Sequence, residues 1–350
     1  MESYGIYTLA NDVVYDQLVA LLNSIEMNVS PDIPVCIIPY DDRLDKVKQE
    51  IASRPNVTIF DNSESIQRWE EFAAEVWAAH ARASETKLSN PRWYGGHLQR
   101  KFVAFDGPFD KFVFYDGDSL AMKPLDDVFE KLETYDFVFD DWEHKKPNPV
   151  AALNISVIEA SGLFQEADIR PNLHCGSFFG SNRGFFDSSE LSRLKEQLID
   201  KREVEWINID GWWDDVFLFN YMTLQCEADG QKNPSLFNFT LSPNSQERTG
   251  NCADSDPFVN IDNVLYNEQG VKPIHRIHYM NYSSKDFARL CQGEDVDILY
   301  KDIFLYYRFL KEPDQMPTEL KPQSWMEKSQ RQIQSMGRKF KVSLYRSFKK

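Results

Sequence analysis

The first third of the chain alternates short apolar segments with longer segments of helical periodicity. Four segments have the length and the apolar content of buried strands, and they are residues 4–9, 35–39, 56–60 and 111–115. Three segments between them have the spacing of helices, at residues 14–25, 63–83 and 96–105. Strands that alternate with helices form a mostly parallel sheet through right-handed crossovers. The pattern therefore predicts an α/β fold in which helices flank a central sheet.

The fourth strand ends in two carboxylates, Asp116 and Asp118, which Gly117 separates. In open α/β folds the carboxyl ends of the strands form the edge at which ligands bind. Two carboxylates at that edge suit Mn²⁺ or Mg²⁺ and the diphosphate that such a cation neutralises. Because Asp-Gly-Asp is also a common surface turn, it is the strand before the motif that favours a metal site.

The rest of the chain contains further strands and helices around a polar, proline-containing loop or lid at residues 142–149. The predicted strands lie at residues 135–139, 174–180 and 274–279. Helices are predicted at residues 187–202 and 217–224, and two more helices precede the C-terminal tail. The last strand alternates in polarity, and we expect it to present His275 and His278 on one face.

The composition narrows the class of protein. Hydrophobic residues make up 42% of the 350 residues and aromatic residues 14%, which is enough for a packed core and leaves flat rings for stacking on sugars or bases. The net charge of −16 excludes general nucleic-acid binding, which needs a basic face. Five scattered cysteines without a Cys-x-x-Cys pair predict neither a disulfide framework nor a structural zinc site.

Positive charge is concentrated at the C-terminus. Residues 321–350 contain nine Lys or Arg and one acidic residue, interspersed with apolar residues. Such a segment is either an anchor to an anionic membrane surface or a solvated terminus. The first residues show no signal peptide, and no apolar run approaches the roughly 20 residues of a membrane-spanning helix. We therefore expect a cytoplasmic protein, attached to the inner face of a membrane if the tail is an anchor.

The order of these features resembles the nucleotide-sugar glycosyltransferases of the GT-A fold, with the glycogenin and bacterial lipopolysaccharide galactosyltransferase family as the nearest group. The resemblance rests on Asn11-Asp12 after the first strand, on Arg100-Lys101 before the Asp-x-Asp strand, and on the later Gly-Ser strand, acidic helix start and histidine strand. It implies a Rossmann-like, mostly parallel central sheet. We accordingly divide the chain into a nucleotide-sugar-binding half, an acceptor-binding half and a basic amphipathic tail, at residues 1–125, 126–312 and 313–350.

In that family the Asp-x-Asp carboxylates hold manganese or magnesium on the donor diphosphate. The resemblance therefore makes Asp118 a metal ligand and Asp116 a ligand or a ribose contact. A late histidine in a His-x-x-Gly-x-x-Lys pattern commonly completes the coordination. In this chain Asn281 replaces the glycine and the lysine stands one position late, so His278 is the candidate ligand and His275 is its rival.

The resemblance assigns further residues to the two substrates. On the donor side they are Asn11, Asp12, Arg100 and Lys101. On the acceptor side they are Gly176, Ser177, Trp212 and Trp213. Asp214 and Asp215 are the candidate catalytic carboxylates, which would orient the acceptor or line the reaction face. Asp215 is favoured over Asp214 because Asn220 follows it at the family's Asp-x-x-x-x-Asn spacing. Structural roles stay open beside these assignments, namely helix capping, surface charge and core packing.

Together these assignments predict a metal-dependent hexosyltransferase that uses a nucleotide-diphosphate sugar, with UDP favoured, and a glycan or lipid-linked acceptor. The resemblance favours retention of the anomeric configuration. One alternative is a haloacid-dehalogenase-type phosphohydrolase, although Leu120 stands where that class has Thr or Val. A sugar nucleotidyltransferase would need a Gly-rich loop that residues 9–12 lack. A non-catalytic carbohydrate-binding protein of the same fold is the remaining alternative.

Overall fold

A central seven-stranded sheet organises the part of the chain that the structure describes. This computed structural model describes residues 2–84, 97–145, 153–207, 215–228, 236–241, 251–254 and 257–322. The strands, β1 to β13, are Tyr4–Ala10, Val35–Pro39, Val57–Ile59, Lys111–Asp116, Ser119–Ala121, Phe137–Phe139, Phe178–Asn182, Leu236–Asn238, Val259–Ile261, Val264–Tyr266, Arg276–His278, Glu294–Asp295 and Lys321–Pro322. The sheet has the order β3-β2-β1-β4-β7-β6-β8. Only β7 runs antiparallel to its neighbours, so the predicted mostly parallel sheet is confirmed.

Ten α-helices accompany these strands among the described residues. The helices, α1 to α10, are Tyr15–Asn28, Asp45–Ile51, Ser63–Ala79, Asp126–Lys131, Ile155–Ser161, Glu166–Ile169, Ser188–Lys195, Asp215–Ala228, Ser284–Cys291 and Lys301–Arg308. Helix α7 continues into a π-helical turn, Glu196–Asp200, so the helix predicted there has two parts. The predicted loop at residues 142–149 is described only as far as Lys145, where it forms a 3-10 turn.

The segment predicted as a helix at residues 96–105 is a 3-10 helix, His97–Asp106. A 3-10 helix has three residues per turn, so side chains three apart lie one above the other. Phe102 and Phe105 have this spacing, and their ring centroids lie 5.3 and 6.3 Å from that of Trp69 on α3. Both rings thus pack against one large indole.

Alternate side chains of β4 enter the two hydrophobic layers of the sheet. Phe112 and Phe114 belong to one core cluster, whereas Val113 and Tyr115 belong to the other. All four are fully buried, as the two-residue period of a strand buried on both faces requires. Strand β4 is therefore held from both sides, and the motif at its end has a rigid support.

None of the helices within the described residues has the length and apolar character needed to cross a membrane.

A separate two-stranded sheet brings the late histidine strand to the Asp-Gly-Asp motif. Strand β11 pairs antiparallel with β5, and His278 lies opposite Ser119, directly after the motif. The expectation that His275 and His278 share a face is wrong. Residues three apart in a strand point to opposite faces, and the two imidazoles accordingly contact different carboxylates.

His275 belongs to a buried ionic network. Its Nδ1 lies 2.9 Å from Asp140 Oδ2 and its Nε2 lies 3.2 Å from Asp127 Oδ2. Arg276 pairs with the other oxygen of Asp140. The His275, Arg276 and Asp140 side chains are fully buried, and buried charges are tolerated only when they are paired. This network ties β11 to the end of β6 and to helix α4.

The network makes the free energy of unfolding dependent on pH. Burial lowers the pKa of His275, but hydrogen bonds and charge interactions with Asp127 and Asp140 outweigh burial and raise the pKa above its ordinary value. A raised folded-state pKa contributes stability that is complete below the unfolded pKa of about 6.5 and is lost as the pH rises through the folded pKa.

We expect His275→Gln to lower the free energy of unfolding by about 2 kcal/mol near pH 7, because it removes two hydrogen bonds between charged groups. The two carboxylates keep their other cations, Arg276 and Lys123. The deficit should shrink as the pH rises above the unfolded pKa of about 6.5 and wild type loses its own imidazolium. His174→Gln is the control, since burial lowers the pKa of His174 to about 3 and its imidazole stays neutral over this range. Urea unfolding at several pH values tests this, and parallel curves for wild type and H275Q would contradict it.

Candidate metal and donor site

Two carboxylates and one imidazole form a compact cluster at the carboxyl end of β4. One ligand atom from each of Asp116, Asp118 and His278 lies within 4.8 Å of the others. His278 Nε2 lies 3.2 Å from Asp118 Oδ1 and 3.8 Å from Asp116 Oδ2. It is His278, rather than its rival His275, that the fold brings to the Asp-x-Asp motif.

Backbone pairing sets this geometry. Strand β4 ends at Asp116, and the Tyr279 amide donates to the Asp118 carbonyl oxygen at 3.0 Å, next to the His278–Ser119 pair. A Cβ atom at Gly117 would lie 3.0 Å from the Leu9 carbonyl oxygen of β1. A larger residue would push the turn away from β1. Close packing against β1 therefore explains why a glycine separates the two carboxylates.

The cluster fits a divalent cation. Carboxylates suit Mn²⁺ and Mg²⁺, and an imidazole is a common additional ligand. Burial lowers the pKa of His278, but the charges of Asp118 and Asp116 outweigh this and raise it to about 10. Burial raises the pKa of Asp118, yet the nearby imidazolium draws it below its ordinary value. The two carboxylates thus stabilise a positive charge between themselves and the imidazole. In the folded protein without metal a proton provides this charge, and a bound metal ion would provide it instead.

Lys101 contacts the motif itself. Its Nζ lies 3.1 Å from Asp116 Oδ1, 2.6 Å from Asp215 Oδ2 and 3.2 Å from the Gly176 carbonyl oxygen. An ammonium has three protons to donate, and these three acceptors match them. The side chain is only 3% exposed. Lys101 therefore links Asp116 to the start of α8 and has no proton left for a phosphate.

Asp215, the first residue of α8, is the other buried partner of Lys101. Burial and the charge of Asp116 raise the pKa of Asp215, against the opposing effect of Lys101. Five residues later, the Asn220 side chain donates to the His174 carbonyl oxygen at 2.7 Å and accepts from the His174 amide at 3.0 Å. Asn220 thus holds the chain just before the turn at Gly176.

Gly176 and Ser177 lie between the motif and α8. Gly176 has a φ of +67°, which glycine adopts without strain, and a Cβ there would lie 3.1 Å from the Phe219 ring. The Ser177 carbonyl oxygen accepts from the Asp116 amide at 2.9 Å. Its hydroxyl accepts from Arg276 Nη2 at 2.7 Å, a contact that neither residue's sequence context had indicated.

The predicted donor residues at the ends of β1 and β2 have structural partners. Asn11 accepts from the Val13 amide at 3.0 Å and donates to Asp41 Oδ2 at 3.0 Å. Asp12 Oδ1 accepts from the Val47 amide at 3.0 Å. These are the capping roles that the sequence left open. Because β1, β2 and β4 are parallel, both residues still lie at the same edge of the sheet as the metal cluster.

Arg100 points away from the cluster. Its Nε donates to Glu70 Oε1 at 2.6 Å and its Nη1 to the Pro39 carbonyl oxygen at 3.0 Å. The two neighbouring basic residues therefore differ: Lys101 contacts the motif, whereas Arg100 lies at the end of β2.

Three of the predicted acceptor-side residues lie outside the described residues, namely Asp214, Trp212 and Trp213.

No protein-family model matches the chain, and no curated protein matches it. Solved structures do match. The bifunctional glycosyltransferase WbbM aligns at a TM-score of 0.52 and 12% identity, over 91% of this chain and 52% of WbbM. The galactosyltransferase LgtC, in complex with donor and acceptor sugar analogues, aligns at 0.47 and 12% over 87% of this chain and 95% of LgtC. Mouse xyloside xylosyltransferase 1 aligns at 0.45 and 9%, over 67% and 84% of the two chains.

The strand order, the carboxylates at the end of β4 and the alignment with WbbM over nine-tenths of the chain agree on the architecture. At 12% identity the similarity is one of fold. The chain has the GT-A fold, and the glycosyltransferases are the proteins that it resembles.

Proposed function

We propose that this protein is a metal-dependent glycosyltransferase that moves a hexose from a nucleotide-diphosphate sugar, with UDP as the favoured nucleotide, to a glycan or lipid-linked acceptor. The observation that carries the proposal is the cluster of Asp116, Asp118 and His278 at the ligand-binding edge of the sheet. The GT-A fold supports a transferase of this class, because catalytic sites of α/β sheets lie at this edge.

Asp116, Asp118 and His278 would hold Mn²⁺ or Mg²⁺. Such a cation offsets the negative charge that develops on the leaving diphosphate as the glycosidic bond breaks. The protein's part is to keep the three ligands fixed. Lys101 binds Asp116 Oδ1 at 3.1 Å, while Oδ2 of the same carboxylate faces His278, so the salt bridge orients Asp116 toward the cation.

The donor nucleoside is assigned to the carboxyl ends of β1 and β2. Asn11 and Asp12 shape this edge through their caps, and Asn11 also holds Asp41. Arg100 stands at the end of β2. We therefore assign it to the nucleoside end of the donor, and not to the diphosphate.

The sugar and the acceptor are assigned to the opposite side of the motif. Asp215 is 7% exposed and shares Lys101 with Asp116, which places its carboxylate beside the metal ligands. Asp214, Trp212 and Trp213 precede it in the chain and complete the proposed acceptor side. The Gly176–Ser177 backbone lies between the two sides. Retention of configuration remains the favoured stereochemistry, as the resemblance to the lipopolysaccharide galactosyltransferases implies.

We expect Asp118→Asn to reduce Mn²⁺-dependent hydrolysis and transfer of the donor by roughly 100-fold or more, since even residues outside the ligand set cost roughly 10–100-fold in metal sites. The control is Asp126→Asn, which removes an exposed carboxylate at the start of α4. Circular dichroism should match wild type for both variants, which shows that the fold is kept. Full activity of D118N would contradict the metal assignment.

A panel of nucleotide sugars, each with and without Mn²⁺, tests the substrate class by thermal shift. A ligand at about 100 times its dissociation constant adds about 2.7 kcal/mol to the free energy of unfolding. We expect the largest shift for a UDP-hexose, and only with the metal. Phosphate release from phosphomonoesters without a donor would favour a phosphohydrolase instead. Metal-independent binding of free sugars would favour a carbohydrate-binding protein.

The C-terminal tail is proposed to bind anionic membranes. Strand β13 pairs with β12, so Lys321 and Pro322 belong to the fold, and the remaining residues 323–350 lie outside the described part. They contain eight Lys or Arg and one acidic residue, which suits an anionic lipid surface.

We expect truncation after Pro322 to abolish binding to vesicles that contain phosphatidylserine, without lowering the thermal midpoint. Vesicles of phosphatidylcholine alone are the control, since they carry no net charge. Co-sedimentation measures both. Equal binding of the full and truncated chains to the anionic vesicles would reject the membrane role of the tail.

A further inference from the structure

Arg276 is a fully buried arginine two residues before His278 on β11. Its guanidinium pairs with Asp140 through Nη1 and donates from Nη2 to Ser177 Oγ at 2.7 Å. The carbon at its centre lies 5.0 Å from the centroid of the Phe178 ring. Three different elements therefore meet at one side chain: β11, the end of β6 and the Gly176–Ser177 turn.

Ser177 connects Arg276 to Asp116, the first of the proposed metal ligands. The same residue that accepts the Arg276 hydrogen bond through its hydroxyl accepts the Asp116 amide through its carbonyl oxygen, at 2.9 Å. Ser177 is 1% exposed, so neither contact is exchanged with solvent. A shift of the guanidinium would move Ser177 and, with it, the backbone of Asp116.

Asp140 connects Arg276 to His278, the third of the proposed metal ligands, by way of Asn251. The Asp140 carbonyl oxygen accepts from the Asn251 side-chain amide at 2.9 Å. The Asn251 carbonyl oxygen in turn accepts from the His278 amide at 2.6 Å. Because His278 follows Arg276 by two residues in the same strand, the path from Arg276 through Asp140 and Asn251 to His278 closes on itself.

We infer that Arg276 is a positioning residue, which holds the backbones of Asp116 and His278 at the separation that a divalent cation requires. The inference rests on the proposed function. A guanidinium presents its donors in a rigid planar fork, whereas an ammonium is a point charge on a flexible stem. Lysine at this position could keep the charge opposite Asp140 but could not also hold Ser177 in the same geometry.

The test is the affinity of the full-length chain for Mn²⁺, measured by isothermal titration calorimetry. We expect Arg276→Lys to weaken it about 10-fold, the size of effect typical of residues just outside a ligand set. Ser177→Ala removes one arm and should weaken it less. The double variant should be no weaker than R276K, because both changes break one path.

Arg54→Lys is the matched control. Arg54 is also a buried arginine with several partners, Glu50 at 2.7 Å and Asn23 at 2.7 Å, and it contacts none of the cluster residues. R54K should lower the thermal midpoint as R276K does and leave the Mn²⁺ affinity unchanged. Equal Mn²⁺ affinities of wild type and R276K, or an equal loss in R54K, would overturn the positioning role.

A second readout needs no metal. The ¹⁵N resonances of the His278 ring, identified among six histidines by their loss in His278→Asn, should move in R276K and stay in place in R54K. A wild-type chain that binds no Mn²⁺ would overturn the proposed function and this inference together. Wild-type binding with an unshifted His278 resonance in R276K would overturn the positioning role alone.

Discussion

The pairing of buried and half-buried charges at one edge of the sheet is the constraint on which the rest of this structure depends. The carboxylates gathered there are Asp116, Asp118, Asp127, Asp140 and Asp215, and the cationic or basic groups are Lys101, His275, Arg276 and His278. Such groups are costly to bury unless each has a partner. The fold provides these partners from strands and helices that are far apart in sequence, so the position of each element depends on the others.

Two buried cations, Lys101 and Arg276, each pair with a different part of this group of carboxylates. Lys101 joins Asp116 to Asp215 and to the carbonyl oxygen of Gly176, whereas Arg276 joins Asp140 to the hydroxyl of Ser177. The Gly176–Ser177 turn is thus held from both sides. The Ser177 carbonyl oxygen also accepts a hydrogen bond from the Asp116 amide. A turn that is held in place therefore also holds the Asp-x-Asp motif in place. A preorganised ligand set of this kind has little reorganisation left to undergo when a cation and a diphosphate bind.

The aromatic residues contribute mainly to this support. The rings of Phe105, Phe137, Phe179 and Phe219 pack together on one face of the sheet, with the Phe179 and Phe219 centroids 4.9 Å apart. Phe219 also lies under Gly176, where a Cβ would approach it to 3.1 Å. The high aromatic content, which in the sequence was compatible with stacking on sugars, is thus used in the described residues to fill the core below the site.

The sequence by itself determined the α/β class, the strands that end in polar residues and the identity of the Asp-x-Asp carboxylates, because strand and helix periods and strand ends are local properties. It also named both His275 and His278 but placed them wrongly on one face. Only the tertiary structure decided which histidine meets the motif, because that depends on the register of β11 against β5. It alone showed that Lys101 contacts the motif while Arg100 does not, and that Arg276 links two ligands. The longest of these pairings joins His278 to Asp116, about 160 positions apart in the chain, and a local pattern carries no information about such contacts.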